Sequence, residues 1–173
     1  MADALLKIFL NYSAETLRQM AGRIETCLGG LSEEQIWARS GENENAIGNL
    51  VLHLSGNVRQ WIVSGVGGRP DTRRRDAEFA ARGGGRGADL VARLKETLEE
   101  AAGTLAELPP ERLGERIVVQ DYELTVLEAI YHVVEHFSGH TSQIIFATKM
   151  MTGADLGFYR HLRDSAAHGE KTP

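Results

Sequence analysis

His132, His136 and His140 stand at four-residue steps in one stretch of the chain. On a helix such residues are neighbours on one face, so the three imidazoles would form a continuous column. Neutral imidazole is the commonest protein ligand for zinc, nickel and related divalent ions. A catalytic metal typically takes three protein ligands and keeps a further position for water or substrate. Three histidines beside an apolar face are costly to desolvate without a compensating role. Spacing therefore argues for metal on this column, without choosing a pair within it. His53 lies on a separate segment at the edge of another apolar face, with Asn49, Asn57 and Gln60 on the same side. A single histidine at a helix edge is more often a hydrogen-bonded structural residue than a ligand. Beside an i, i+4 pair, it would complete a set of three. An open position at such a metal would lower the pKa of a bound water or thiol.

The segment His132-Val133-Val134-Glu135-His136 also fits the H-x-x-E-H pattern of inverted zinc peptidases, in which two histidines bind zinc and the glutamate is the base. Only three positions are fixed, and Glu135 falls on the solvent side of the helical wheel. The pattern is kept as a minor alternative.

These side chains need elements to carry them. Leu5, Ile8, Phe9, Tyr12, Leu17, Met20, Ile24 and Leu28 recur at three- and four-residue steps, which predicts a first helix over 3–28 with one apolar stripe. Ser32 followed by Gln35 resembles a capping box for a short helix. A second long helix is expected over 46–64, burying Ile47, Leu50, Leu54, Val58 and Trp61. A Gly- and Arg-rich loop should then extend to about Gly87. Its basic run, Arg73 to Arg75, is read as solvated first and as an anion site second, with Phe79 pinning the loop. A third helix is expected over 88–108 and stops at Pro109-Pro110. β-branched Ile117, Val118 and Val119 suggest an extended stretch or short hairpin over 116–124. The fourth long helix should cover 125–151, with a short helix near 158–165 after it. Four long amphipathic helices with little strand mean an all-α four-helix bundle, read as a single domain over 1–173.

Composition narrows the class. Of 173 residues, 42% are apolar and 25% charged, with a net charge of −5, so the basic face that nucleic acid requires is missing. No run approaches a membrane span, and no signal peptide is visible at the N-terminus. The single cysteine, Cys27, falls on the apolar spacing of the first helix and reads as a small buried hydrophobe. One thiol makes no internal disulfide, and a reducing cytoplasm is the expected home.

The segments His53-Leu54-Ser55-Gly56-Asn57-Val58-Arg59-Gln60-Trp61 and His132-Val133-Val134-Glu135-His136-Phe137-Ser138-Gly139-His140-Thr141-Ser142-Gln143-Ile144 resemble the DinB-like superfamily, which includes bacillithiol- and mycothiol-dependent transferases. The resemblance covers nearly the whole chain. It implies an up-down-down-up bundle, often a homodimer, with nickel, zinc or iron at a histidine triad. It matches His53 to the first ligand and His136 with His140 to the pair. His132 then matches an upstream histidine that is not usually a ligand. The chain departs from the commonest pattern in placing Thr141-Ser142 between the last ligand and Gln143. The expectation is a divalent-metal-dependent enzyme using a low-molecular-weight thiol such as bacillithiol, mycothiol or glutathione against an electrophile. Asn57, Gln60 and Trp61 are the candidates for lining the pocket, although helix packing accounts equally well for each and Trp61 suits the core best. A non-catalytic metal-binding or stress-related protein is the alternative, and a metal-dependent hydrolase a third.

Overall fold

The computed structural model describes residues 2–162. The elements run in the order α1 (Ala2–Gly29), α2 (Glu33–Trp37), α3 (Ile47–Val58), α4 (Arg75–Ala80), α5 (Gly87–Ala106), β1 (Arg116–Val119), β2 (Tyr122–Thr125) and α6 (Val126–Thr152). A π-helical stretch, Arg59–Val66, continues α3, and a 3₁₀ turn, Pro110–Gly114, follows α5. The chain is all-α apart from its small hairpin.

Local chemistry sets the boundaries. The Ser32 hydroxyl accepts from the Gln35 N–H at 3.2 Å, and the Gln35 side chain accepts from the Ser32 N–H at 2.9 Å, the expected capping box. A second box, Thr125 with Glu128, launches α6. Gly153 stops α6 at a φ of 66°, a left-handed end that glycine adopts at little cost. In the hairpin, Val119 pairs with Tyr122 across Gln120 and Asp121, both with positive φ. That is the backbone of a two-residue primed turn, whose twist matches the strands.

Side-chain pairs fix the topology. Lys95 reaches Glu25 and Arg18 reaches Glu99, so α1 and α5 run antiparallel. Trp37 packs at the start of α3 and hydrogen-bonds Gly85 just before α5, while Arg59 beyond α3 bonds Glu100 late in α5. Those two helices are therefore parallel. Trp61 stacks with His132 and His53 lies against His140, so α3 and α6 are antiparallel. The result is up, down, down, up. Parallel α3 and α5 require the chain to return the length of the bundle between them, and residues 67–86 make that crossover.

The core lies between the four long helices. Ile24, Leu54, Val58, Leu94, Ile130 and Phe137 are all sealed from solvent. At about 25 cal/mol per Å² of apolar area removed from water, such side chains each contribute roughly 2 kcal/mol. Cys27 is fully buried, as its spacing implied.

Several expectations need correction. Leu5, Ile8 and Tyr12 are exposed, because the buried stripe lies beside them: Leu6 and Phe9 pack against the core and Leu10, Ala14 and Leu17 are buried in it. The second helix does not end at Ser64 but widens into the π stretch and runs to Val66, with the Gly67 N–H bonding the Ile62 carbonyl at 2.8 Å. The Gly/Arg-rich loop contains α4. Its Arg73 is not solvated: the side chain is only 2% exposed and is ion-paired with Glu78. Of the C-terminal helix expected over 158–165, residues 160–162 are helical and 163–165 lie outside the described residues.

Candidate metal centre

His53 projects from the middle of α3, and His136 and His140 project from adjacent turns of α6. The amphipathic spacing that buries Leu54, Phe137 and Ile144 turns these imidazoles towards one another at the seam between the two helices. The Nε2 atoms of His53 and His136 stand 3.1 Å apart, and those of His140 and His136 3.2 Å apart. Two nitrogens bound to one ion at about 2.0–2.1 Å and a tetrahedral angle are about 3.3 Å apart, so the spacing suits a shared ion within a few tenths of an ångström. These three histidines can hold a metal.

The outer nitrogen of His140 supports this. His140 Nδ1 lies 2.8 Å from Gln143 Oε1, so Nδ1 carries the proton and Nε2 presents a lone pair. His53 Nδ1 lies 3.2 Å from the carboxylate of Glu78. His136 Nδ1 is buried without a hydrogen-bond partner among the described residues.

Electrostatics favour the neutral form of His136 and His140. Burial, and then the neighbouring His140, His53, His132 and Arg73, lower the His136 pKa to about 3. Burial lowers His140 as well, against the Gln143 hydrogen bond, and burial lowers His132 against the Glu135 charge. Neutral imidazole is the form that ligates. A consequence follows for the metal-free protein. Unfolded histidine takes a proton near pH 6.5, and folded His136 not until about 3. Between those values the unfolded state binds more protons, so stability is highest above pH 6.5 and falls as pH drops towards 3. Urea unfolding of apoprotein at about pH 7.5 and about pH 5 measures this, and His136→Gln should flatten the slope. An equal slope in that variant would refute the assignment.

The site opens on a cavity of about 470 Å³ between α3, the crossover and the hairpin. Asn57 and Trp61 line it, both less than 5% exposed. Asn57 Oδ1 and Trp61 Nε1 have no hydrogen-bond partner among the described residues. Gln60 is engaged elsewhere: it donates to Asp71, accepts from Arg73 at 2.8 Å, and bonds Gln120 in the hairpin turn. Gly65 permits the hairpin's close approach, since a Cβ there would stand 2.6 Å from the Val119 side chain. His132 lies in the cavity wall, stacked on Trp61 with ring centroids 4.3 Å apart. It is not part of the converging set. Glu135 is exposed and does not line the cavity, which leaves the H-x-x-E-H reading without a base at the site.

Sequence reasoning missed Glu78 and Arg73. Arg73 Nε and Nη2 donate to the two oxygens of Glu78 at 2.8 Å each, directly behind His53. The one available signal was an arginine and a glutamate five apart inside an unusually long connection. Asn49 also differs from its expected place on the cleft wall. It is fully buried, donating to the Glu78 and Ala81 carbonyls at 2.8 and 2.9 Å and accepting from Arg39 at 2.6 Å.

Fold and site together define an all-α bundle with a three-histidine centre able to take a metal ion. A family model described as a protein of unknown function, DUF1572, matches residues 5–161, and the chain belongs to that family. Among solved structures, a conserved protein from Enterococcus faecalis is similar with a TM-score of 0.70 and 14% identity, over 83% of this chain and 97% of that one. That likeness shows the fold. No curated protein matches the chain.

Proposed function

We propose that the chain is a DinB-like, divalent-metal-dependent enzyme that transfers a low-molecular-weight thiol to a small electrophile. The observation that carries the reading is the convergence of three imidazole Nε2 atoms, with His53 and His136 on the wall of a cavity that Asn57 and Trp61 also line. A bound ion would hold a thiol as thiolate at neutral pH. The chain's own contribution is placement. The Trp61 indole N–H would offer a donor and the Asn57 amide oxygen an acceptor, both now buried in the cavity wall without partners among the described residues. Burial without a partner is costly for such groups, which favours a role for them in ligand binding. Zinc and nickel suit three imidazoles best and iron is compatible, with availability deciding between them.

A cytoplasmic homodimer completes the reading. No helix among the described residues is long and apolar enough to cross a membrane. The exposed apolar side chains Leu5, Ile8 and Tyr12 give a second copy a surface to cover.

The test pairs metal analysis of purified protein with a depletion assay. Bacillithiol, mycothiol and glutathione are each offered with a generic electrophile. The expected result is about one ion per chain and consumption of at least one thiol. Full metal occupancy with no thiol turnover would leave a non-catalytic metal protein. Hydrolysis of esters or amides without thiol would instead point to water as the activated group.

A further inference from the structure

We infer that the crossover acts as a positioning strap, with Glu78, clamped by Arg73, setting the tautomer and orientation of His53 so that Nε2 faces the metal. The inference rests on the triad being the metal site, but it makes a claim of its own about the metal-free protein.

The chemistry is a contest for one nitrogen. Glu78 Oε2 lies 3.2 Å from His53 Nδ1, and Arg73 Nη2 lies 3.0 Å from the same atom. If Arg73 donated to Nδ1, the ring proton would sit on Nε2 and block the lone pair. If Nδ1 donates to Glu78, Nε2 is free. Arg73 directs its Nε and one Nη2 hydrogen at Glu78 and its Nη1 at Gln60, so only the second Nη2 hydrogen competes with Glu78 for Nδ1. Either bond is charge-assisted, but only donation from Nδ1 adds a hydrogen bond to the buried carboxylate, whereas Arg73 has Glu78 and Gln60 as acceptors already. Burial pushes the Glu78 carboxyl up, but hydrogen bonds from Arg73 and His53 outweigh it and hold the group below the usual value, so it is an anion. A carboxylate behind a ligating histidine fixes the ring and raises its basicity.

The strap is built around this contact. Asn49 and Arg39 hold the backbone carbonyls of Glu78, Phe79 and Ala81, so anchoring the crossover does not itself need the Glu78 carboxylate. The Phe79 ring lies 4.7 Å from His53 and closes one side. Gly56, one turn beyond His53, leaves the space the pair occupies: a Cβ there would collide with the Glu78 carboxylate and stand 2.9 Å from Arg73 Nε. That contact is with side-chain ends, so Gly56→Ala displaces the pair while leaving its charges and the helix in place.

Two measurements test the inference. In metal-free protein, ¹⁵N–¹H correlation of His53 should show the proton on Nδ1, and Glu78→Leu should move it towards Nε2. In metal binding, Glu78→Gln and Gly56→Ala should each weaken Zn²⁺ affinity by about 10–100-fold. Glu99→Gln, which breaks a surface pair with Arg18, should not. The apo spectra identify folded variants, and the two routes to a displaced carboxylate protect against the failure of either. A wild-type proton on Nε2, or unchanged affinity in both variants, overturns the strap. Protein with the expected tautomer but no metal would instead overturn the metal reading and leave the strap as an orienting contact.

Discussion

His53→Ala, His136→Ala and His140→Ala are each expected to lose tight metal binding, by more than about 100-fold, while His132→Ala stays within about tenfold of the native chain. Each of the three presents one nitrogen to a common point, with separations of 3.1 and 3.2 Å, so each removal leaves only two imidazoles. His132 stacks on Trp61, its ring 5.6 Å from that of His136, and supplies no converging nitrogen. Equilibrium dialysis with Zn²⁺ or Ni²⁺ measures the series. The variants should stay folded, because the lost side chains lie at a seam rather than in the sealed core. If His132→Ala lost the metal and His140→Ala kept it, the ligand register would be wrong by one turn.

Arg73→Ala is expected to destabilise the chain by about 3–5 kcal/mol, the range for removing one partner from a buried ion pair. Arg73 is 2% exposed and Glu78 11%, so Glu78 would be left with a desolvated charge and no cation. The magnitude comes from that orphaned carboxylate rather than from the net worth of the pair. The pH dependence has a definite sign. The Glu78 carboxyl is held below its ordinary value in the fold, so its contribution is present above the usual carboxylate range and is lost as pH falls from there through the lowered value. Urea unfolding at neutral pH measures the loss, with exposed Arg74→Ala as a control expected to change stability by less than about 0.5 kcal/mol. Equal midpoints for the two variants would mean that Glu78 relaxes into water when its partner is gone.

The bundle was legible because its signals are local and periodic. Leu90, Leu94, Leu98, Ala101 and Leu105 write out the buried face of α5, and Ser32 with Gln35 and the β-branched run at 117–119 mark a cap and a strand. The column on α6 was legible for the same reason, but choosing between its pairs required the family resemblance. What stayed hidden depends on contacts between distant segments. Arg73 reads as a surface cation by type and neighbours; only the return of the crossover across α3 buries it against Glu78. Leu5, Ile8 and Tyr12 keep helical spacing, but so do Leu6, Phe9 and Leu10 beside them, and spacing cannot say which of two adjacent apolar stripes faces the core. The π stretch is likewise invisible to a pattern that assumes a uniform period.

Cys27 gives the molecule an analytical silence. Its thiol is fully buried, bonded to Thr148, and pushed up in pKa chiefly by burial, so it is a poor nucleophile towards solvent reagents. The chain therefore adds no reactive thiol of its own. A thiolate-to-metal absorption band on Co²⁺-loaded protein would report the added thiol alone, and thiol-consuming assays would need no correction for the catalyst. That makes unmodified protein its own clean spectroscopic probe.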